Sequence, residues 1–227
     1  MTRVQWLGHS CLLCESAGIH ILIDPFLTDN PTAAATADTV PADFILVSHG
    51  HGDHVGDAVA IARRTGALVI ANYEIAGWFE AKHKVKAHGM QHGGGFDFPF
   101  GRVKLTLAFH GSALPDGSNG GNPCGFLITF KDGKTIYDAA DTGLFGDMKL
   151  IGEEGIDLAF LPIGDNYTMG PTDAVRAVKF LAPKKVVPIH YNTFPLIRQD
   201  AAAWAQRVRA ETASEPVVPK PGEWVEV

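Results

Sequence analysis

Apolar and polar positions alternate along the first part of the chain with the two-residue period of β-strands. Residues 4–7, 10–15 and 20–24 have this pattern and predict an antiparallel start to a sheet. From residue 44 onward, continuous apolar runs are followed by segments such as 55–65, in which apolar residues recur at helical spacing. This order of buried strand, loop and amphipathic helix is typical of α/β domains.

The same order occurs a second time. Strands are predicted at 103–108, 125–130 and 135–139, with an Asp132-Gly133 hairpin signal between the last two. Buried strands at 156–161 and 185–189 then alternate with amphipathic helices at 172–182 and 200–212. The doubled pattern predicts one domain over residues 1–227, built from two related halves that pack sheet against sheet with helices outside.

Composition and charge narrow the class of protein. The chain is 46% apolar and 19% charged, as globular proteins are, and its net charge of −6 provides no general attraction for nucleic acid or anionic membranes. It has no signal-peptide pattern, no apolar run of membrane-spanning length, and three cysteines, which cannot all pair. We therefore expect a cytoplasmic protein with a small-molecule substrate and neither a membrane nor a nucleic-acid partner; a homo-oligomer stays open.

The strand at 44–47 runs directly into Ser48-His49-Gly50-His51-Gly52-Asp53-His54. Residues at i and i+2 of an extended chain point the same way, so His49 and His51 can bind one cation while Asp53 and His54 face another. The two intervening glycines, Gly50 and Gly52, are expected to let the chain bend tightly and to keep bulky side chains out of the loop. The pattern predicts two metal ions.

A short loop cannot complete two coordination spheres, so further ligands are expected from distant strand ends. Three residues follow apolar strands directly and can provide them: His110, Asp141 and His190. Side chains at strand ends are held by the sheet, which suits a preorganised site.

These residues in this order resemble the metallo-β-lactamase superfamily. The segments 6–10, 23–27 and 161–171 are similar to those of metal-dependent hydrolases related to ascorbate-6-phosphate lactonase. The resemblance covers about residues 4–194 and implies a four-layer αββα sandwich with a dinuclear site at one edge. It implies these ligands: His49, His51 and His110 for the first metal, Asp53, His54 and His190 for the second, and Asp141 bridging both. Ala140, where relatives often have glycine, is a departure that we expect to cost little.

Two bridged cations would share a water and lower its pKa toward about 7. We therefore expect hydrolysis of an ester, lactone or phosphodiester bond, with Asp53 as a candidate proton acceptor. Zinc suits the imidazole-rich ligand set, and the carboxylate bridge also permits manganese or iron. The alternatives are a catalytically silent metal-binding or regulatory protein on the same fold, and a di-iron oxidoreductase, against which His51 argues because glutamate occupies that position there.

Two more residues at strand ends each have two alternative roles. His9 is a candidate catalytic residue that either contacts substrate or bonds a backbone carbonyl. Asp24 either orients a ligand histidine or caps a turn, and we favour the first role. Cys11 and Cys14 lie three positions apart in a predicted strand, where they face opposite sides and serve packing.

Two polar segments, the lysine run at 82–86 and the loop at 116–122, have predicted surface positions. Lys82, Lys84 and Lys86 alternate with other residues, which favours an exposed edge strand over an anion-binding face. The loop at 116–122 is polar enough to act as a mobile lid on the site.

Overall fold

The computed structural model describes all residues from 1 to 227. Its strands, in chain order, are β1 (Arg3–Gly8), β2 (Cys11–Ser16), β3 (Ile19–Ile23), β4 (Phe44–Val47), β5 (Leu68–Asn72), β6 (Ala87–Met90), β7 (Gly95–Phe98), β8 (Gly101–Leu107), β9 (Cys124–Phe130), β10 (Thr135–Asp138), β11 (Leu158–Pro162), β12 (Lys185–Ile189), β13 (Glu215–Pro216) and β14 (Trp224–Glu226). The helices are α1 (Gly52–Val55), α2 (Ala58–Thr65), α3 (Tyr73–His83), α4 (Met148–Gly152), α5 (Pro171–Leu181) and α6 (Ala201–Glu211), with one 3-10 turn at Pro195–Ile197. No helix combines the length and the apolar composition that crossing a membrane requires.

The strands form two seven-stranded mixed sheets of equivalent topology. The first has the order β14-β1-β2-β3-β4-β5-β6, antiparallel up to β3 and parallel from β3 to β6. The second has the order β13-β12-β11-β10-β9-β8-β7, antiparallel from β7 to β10 and parallel from β10 to β13. The prediction of two similar halves is therefore confirmed.

Side-chain alternation along β2 shows how the first sheet is covered on both faces. Leu12 and Cys14 belong to a buried cluster that includes side chains of the second sheet. Cys11 and Leu13 belong to another cluster, shared with α2 and α3. One face thus packs against the second sheet and the other lies under helices. The opposite orientation of Cys11 and Cys14, both fully buried, confirms their predicted packing role.

The outer helices bury one face each against the second sheet. Gly170 precedes α5 as its N-cap and Pro171 occupies the first turn, where its missing N–H is not needed. The buried positions Ala174 and Val178, one helical turn apart, join the core together with Trp204 of α6. Helix, sheet, sheet and helix therefore form four layers, which confirms the αββα sandwich.

The helix predicted at 55–65 begins only at Ala58, as α2, and Val55 is instead the last residue of the short helix α1. Gly56 ends α1 with φ at 41°, and a Cβ there would lie 2.4 Å from the carbonyl oxygen of Pro25. Asp57, which precedes α2, accepts hydrogen bonds from the backbone N–H groups of Leu27 and Thr28. The chain bends because this junction packs against the loop after β3.

The predicted edge strand at the lysine run is wrong for Lys82 and Lys84, whereas Lys86 directly precedes β6, the edge strand of the first sheet. Lys82 lies in the last turn of α3, and Lys84 ends that helix in a left-handed conformation with φ at 56°. Asn72 accepts a hydrogen bond from the backbone N–H of Ile75 and caps the start of the helix. The side chain of Lys82 pairs with Asp116, so it holds a loop rather than protecting a sheet edge.

Candidate metal centre

Each predicted metal ligand outside the loop after β4 lies at or just beyond the carboxyl end of a strand. His110 follows β8, Asp141 follows β10 and His190 follows β12, all in the second sheet. The loop that begins at His49 follows β4 of the first sheet. Both halves of the molecule therefore contribute side chains to one site.

Several residues at these strand ends have left-handed backbone conformations. The φ angles are 54° at His9, 44° at Asp24, 50° at Ala140 and 53° at His190. Residues with a Cβ pay about 1 kcal/mol or more in this region, and such strain concentrates at functional sites. The expectation that alanine at position 140 costs little relative to glycine is therefore wrong.

Three histidines form the first cluster. His49 Nε2 lies 3.0 Å from His51 Nδ1, and a ring nitrogen of His110 lies within 4.8 Å of both rings' donor atoms. The His49 side chain is fully buried, whereas that of His110 is 14% exposed. The cluster is thus anchored on one side and open to solvent on the other, and it contains the residues expected for the first metal.

The second cluster contains the residues expected for the second metal. Potential ligand atoms of Asp53, His54 and His190 lie within 4.8 Å of one another, and His9 belongs to the same group. His54 and His190 are buried, whereas the Asp53 side chain is 32% exposed. Asp53 is therefore the member of this cluster that faces the solvent.

Asp141 lies between the two clusters. Its Oδ2 atom is close to four imidazole Nε2 atoms, at 3.0 Å for His190, 3.3 Å for His54, 3.5 Å for His110 and 4.0 Å for His49. Two ligands on one tetrahedral zinc ion are about 3.3 Å apart. The buried atoms Asp141 Oδ1 and His54 Nε2 have no hydrogen-bond partner. This arrangement of donor atoms fits divalent cations.

Asp24 determines which nitrogen of two histidines carries the proton. Its Oδ2 lies 2.7 Å from His54 Nδ1 and 2.5 Å from Ser48 Oγ, and Ser48 Oγ lies 2.9 Å from His49 Nδ1. His54 donates from Nδ1 to the carboxylate, and His49 donates from Nδ1 to the serine hydroxyl, which itself donates to Asp24. The Nε2 atoms of both rings are then left free as ligands.

Burial and charge set the protonation of the site. Burial lowers the pKa of His49 well below its usual range, so this ring is neutral. Burial opposes ionisation of Asp141, but the imidazoles of His190 and His54 outweigh it and lower the pKa of this carboxyl. Burial also acts to lower the pKa of His54, but Asp141 and Asp24 raise it well above its usual range. Without a cation, His54 therefore also carries a proton on Nε2, and a cation must displace that proton, so metal affinity falls at low pH.

His9 lies beneath the cleft and is not part of its wall. The side chain is 0% exposed, with Nε2 3.2 Å from Asp53 Oδ2 and Nδ1 2.9 Å from Thr193 Oγ1. Burial and the nearby His190 lower the pKa of His9 to about 4, so the neutral ring donates to Asp53 and accepts from Thr193. Both expected roles, contact with substrate and a bond to a backbone carbonyl, are wrong. His9 positions the Asp53 carboxylate.

The loop at 116–122 is docked on α3 in the structure. Asp116 accepts from the indole N–H of Trp78 at 2.9 Å and pairs with Lys82. Asn72 Nδ2 donates to the carbonyl oxygens of Gly120 and Asn122. No residue of this loop lines the cleft. The lid interpretation is therefore corrected to a structural support for the metal-binding loop.

Three functional residues escaped the sequence analysis. Ser48 and Thr193 hold His49 and His9, and Thr142 Oγ1 accepts from the backbone N–H of Phe109 at 2.9 Å, joining the strand ends that carry His110 and Asp141. Each hydroxyl lies beside or near a ligand in sequence, which was the available signal. The distant partners of these hydroxyls, which are Asp24 for Ser48, His9 for Thr193 and Phe109 for Thr142, could not be identified without the fold.

A cleft of about 640 Å³ opens above the metal centre. Its lining residues include members of both clusters and an apolar side: His51, Asp53, His110, Asp141, Tyr167, His190, Phe194, Pro195 and Leu196. Its volume lies in the usual range for small-molecule sites.

The family model for the beta-lactamase superfamily domain matches residues 20–191. The chain belongs to the metallo-β-lactamase superfamily. Within this superfamily, it is 54% identical to a UPF0173 metal-dependent hydrolase of Pelotomaculum thermopropionicum over 99% of the chain and all of the relative. A UPF0173 metal-dependent hydrolase of Thermus thermophilus is 53% identical, with 98% of each chain covered. The chain is thus a metal-dependent hydrolase of this superfamily.

A solved structure supports the same fold. Igni18, described as a novel metallo hydrolase from Ignicoccus hospitalis, is 39% identical and superimposes with a TM-score of 0.88, covering 99% of this chain and 97% of that one. The superfamily fold expected from the motif residues is therefore confirmed.

Proposed function

We propose that the protein uses two divalent cations to hydrolyse an ester, lactone or phosphodiester bond of a small substrate. The observation that carries the proposal is the position of Asp141 Oδ2, within 3.0–4.0 Å of four histidine nitrogens from two clusters. Imidazole ligands favour zinc, and manganese and iron are the alternatives that a carboxylate bridge permits. The seven ligands would be His49, His51, Asp53, His54, His110, Asp141 and His190.

Bound cations would lower the pKa of a coordinated water and polarise the carbonyl or phosphoryl oxygen under attack. The lining of the cleft contains no serine, threonine, cysteine or lysine side chain. No side chain of these types can therefore act as a covalent nucleophile, which supports a metal-activated water as the attacking group.

Asp53 is the residue placed to accept a proton. It lines the cleft, and its Oδ2 is held by the imidazole N–H of His9 at 3.2 Å. Burial acts to raise the pKa of Asp53, but the hydrogen bond from His9 and the charge of His54 outweigh it and lower the pKa. The carboxylate is therefore ionised and held in one orientation at the reacting centre.

Two observations disfavour the alternatives. A catalytically silent protein has no need of an open cleft whose wall includes ligand atoms of both clusters, yet His110, Asp53 and Asp141 all line it. A di-iron oxidoreductase of this superfamily would carry glutamate at position 51, which is histidine here.

The test combines metal analysis with a substrate panel. Protein purified without chelator should contain about two ions per chain by elemental analysis, and the sample is then assayed with carboxylic esters, sugar lactones, thioesters, phosphodiesters and β-lactams. Asp141→Asn should retain about one ion and lose at least about a hundredfold in turnover, because the amide lacks the charge that holds two cations close.

Asp157→Asn is the matched control, because Asp157 is a buried carboxylate at the opposite end of β10, bonded to the backbone N–H of Thr135. It should retain both ions and full turnover. A wild-type protein that saturates at one ion, or an unchanged Asp141→Asn variant, would refute the dinuclear proposal.

A further inference from the structure

One side of the cleft is an apolar lip formed by Tyr167, Phe194, Pro195 and Leu196. Leu196 is 65% exposed and Tyr167 is 53% exposed. Large apolar side chains that stay exposed beside a catalytic centre mark a surface on which a ligand is bound.

The backbone around the lip is held in place. Asn192, which precedes the turn, is bonded to the C-terminal end of the turn, because its N–H donates to the Ile197 carbonyl at 2.9 Å and its Oδ1 accepts from the Gln199 N–H at 2.8 Å. Ile197 is fully buried. The Gln199 side chain donates to the Gly164 carbonyl at 3.0 Å. Leu196 is therefore presented to the cleft by a fixed turn rather than exposed by disorder.

The lip has no cationic side chain. Lysine and arginine are absent from the whole lining of the cleft. The nearest arginine in sequence, Arg198, lines a separate hollow together with Asp200 and Asn192. Away from the metal centre, the cleft therefore offers dispersion and burial but no partner for a second negative charge.

We infer that the substrate is a carboxylic ester or lactone whose acyl group is apolar and uncharged and lies on this lip. The inference rests on the proposed hydrolytic function and specifies the substrate class of the same site. An added carboxylate or phosphate on the acyl group would lose its hydration against Phe194, Pro195 and Leu196 without gaining a counter-charge. Each methylene that the lip buries would instead improve transition-state binding.

The test uses p-nitrophenyl acetate, butyrate and hexanoate, which share a leaving group, and p-nitrophenyl hemisuccinate, which has a carboxylate where butyrate has a methyl group. One buried methylene corresponds to about a fourfold gain. We expect kcat/KM to rise roughly tenfold from acetate to butyrate and to fall at least tenfold for hemisuccinate.

Two substitutions of Leu196 connect the selectivity to the lip. Leu196→Ala should reduce the gain along the acyl series to about threefold or less, and Leu196→Lys should raise the hemisuccinate-to-butyrate ratio at least tenfold. Leu150→Ala is the matched control, because Leu150 is 61% exposed on α4 and does not line the cleft. It should leave both ratios unchanged.

Binding of hexanamide and acetamide, measured by calorimetry on metal-loaded protein, gives a readout independent of turnover. Tighter binding of hexanamide by wild type than by Leu196→Ala supports the apolar subsite. If that difference is present but no ester is hydrolysed, the proposed ester chemistry fails while the subsite stands. Equal kcat/KM along the acyl series, or a wild-type preference for hemisuccinate, overturns the inference.

Discussion

Replacing Asp24 by asparagine tests how the protein directs histidine nitrogens at the metal centre. Asp24 is fully buried and accepts hydrogen bonds from the Ser48 N–H at 2.8 Å, the Ser48 hydroxyl at 2.5 Å and His54 Nδ1 at 2.7 Å. In Asp24→Asn, one carboxylate oxygen becomes an amide nitrogen that cannot accept. If the amide oxygen keeps the Ser48 N–H, the amide nitrogen faces His54, which must move its proton to Nε2 and so block the atom nearest Asp141.

The magnitude follows from this change of tautomer. Loss of an orienting partner beside a ligand histidine lowers metal affinity about 10- to 100-fold, or about 1.4 to 2.7 kcal/mol. Calorimetric titration with zinc should show weaker binding than wild type, because Asp24 orients His54 of the second cluster directly and His49 of the first cluster through Ser48. Nitrogen NMR of metal-free protein should show His54 protonated on both nitrogens in wild type and on Nε2 alone in the variant.

Asp43→Asn provides the matched comparison. Asp43 also contacts a histidine, His20, through Nδ1 at 3.4 Å and the backbone N–H at 2.8 Å, but its side chain is 54% exposed at the surface. This variant should bind zinc as wild type does. Two unchanged affinities in a folded Asp24→Asn protein would refute the role assigned to Asp24.

Two further predictions concern the metal-binding loop and the buried core. A Cβ at Gly50 would lie 2.9 Å from backbone atoms of Ser112 and Ala113, whereas one at Gly52 has open space, so Gly50→Ala should lose about 1–3 kcal/mol of stability and Gly52→Ala almost none. Equal denaturant midpoints would contradict this. Burial and the nearby Asp24 raise the pKa of Asp138 to about 8, so between about pH 4 and 8 the native state keeps a proton that the unfolded state has lost. Its contribution to stability therefore falls as pH rises, by at most about 1.4 kcal/mol per unit, and metal-free Asp138→Asn should lose less stability from pH 5 to pH 8 than wild type does.

Strand periodicity predicted much of the framework, and the errors have physical causes. β4 and β12 have the predicted bounds because continuous apolar runs are buried on both faces. α3 was missed because its apolar residues do not lie on one stripe: Ile75 and Phe79 are buried, whereas Tyr73 is 68% exposed. α3 is stabilised by its N-cap Asn72 and by contacts with the 116–122 loop. The contacts with the loop are tertiary, so the periodicity of the sequence cannot detect them.

The metal-binding set was recognisable because its spacing and strand-end positions are properties of the sequence. The role of His9 was not, because it depends on Thr193, which lies 184 positions away along the chain. The sequence also predicted that both Gly50 and Gly52 must be small, because both lie in the metal-binding loop. Only the packing of residues 112 and 113 distinguishes them, since a Cβ at Gly52 meets nothing within 4 Å.

The division of the ligands between the two sheets has a consequence for assembly of the protein. The residues proposed to hold metal extend from His49 in the first half to His190 in the second. Neither half contains a complete ligand set, so both complete metal sites form only when the sheets have docked. A cation bound only by the docked state shifts the equilibrium toward it in proportion to its free concentration. Metal supply would thereby control what fraction of the protein has its two halves docked, as well as whether the protein is active.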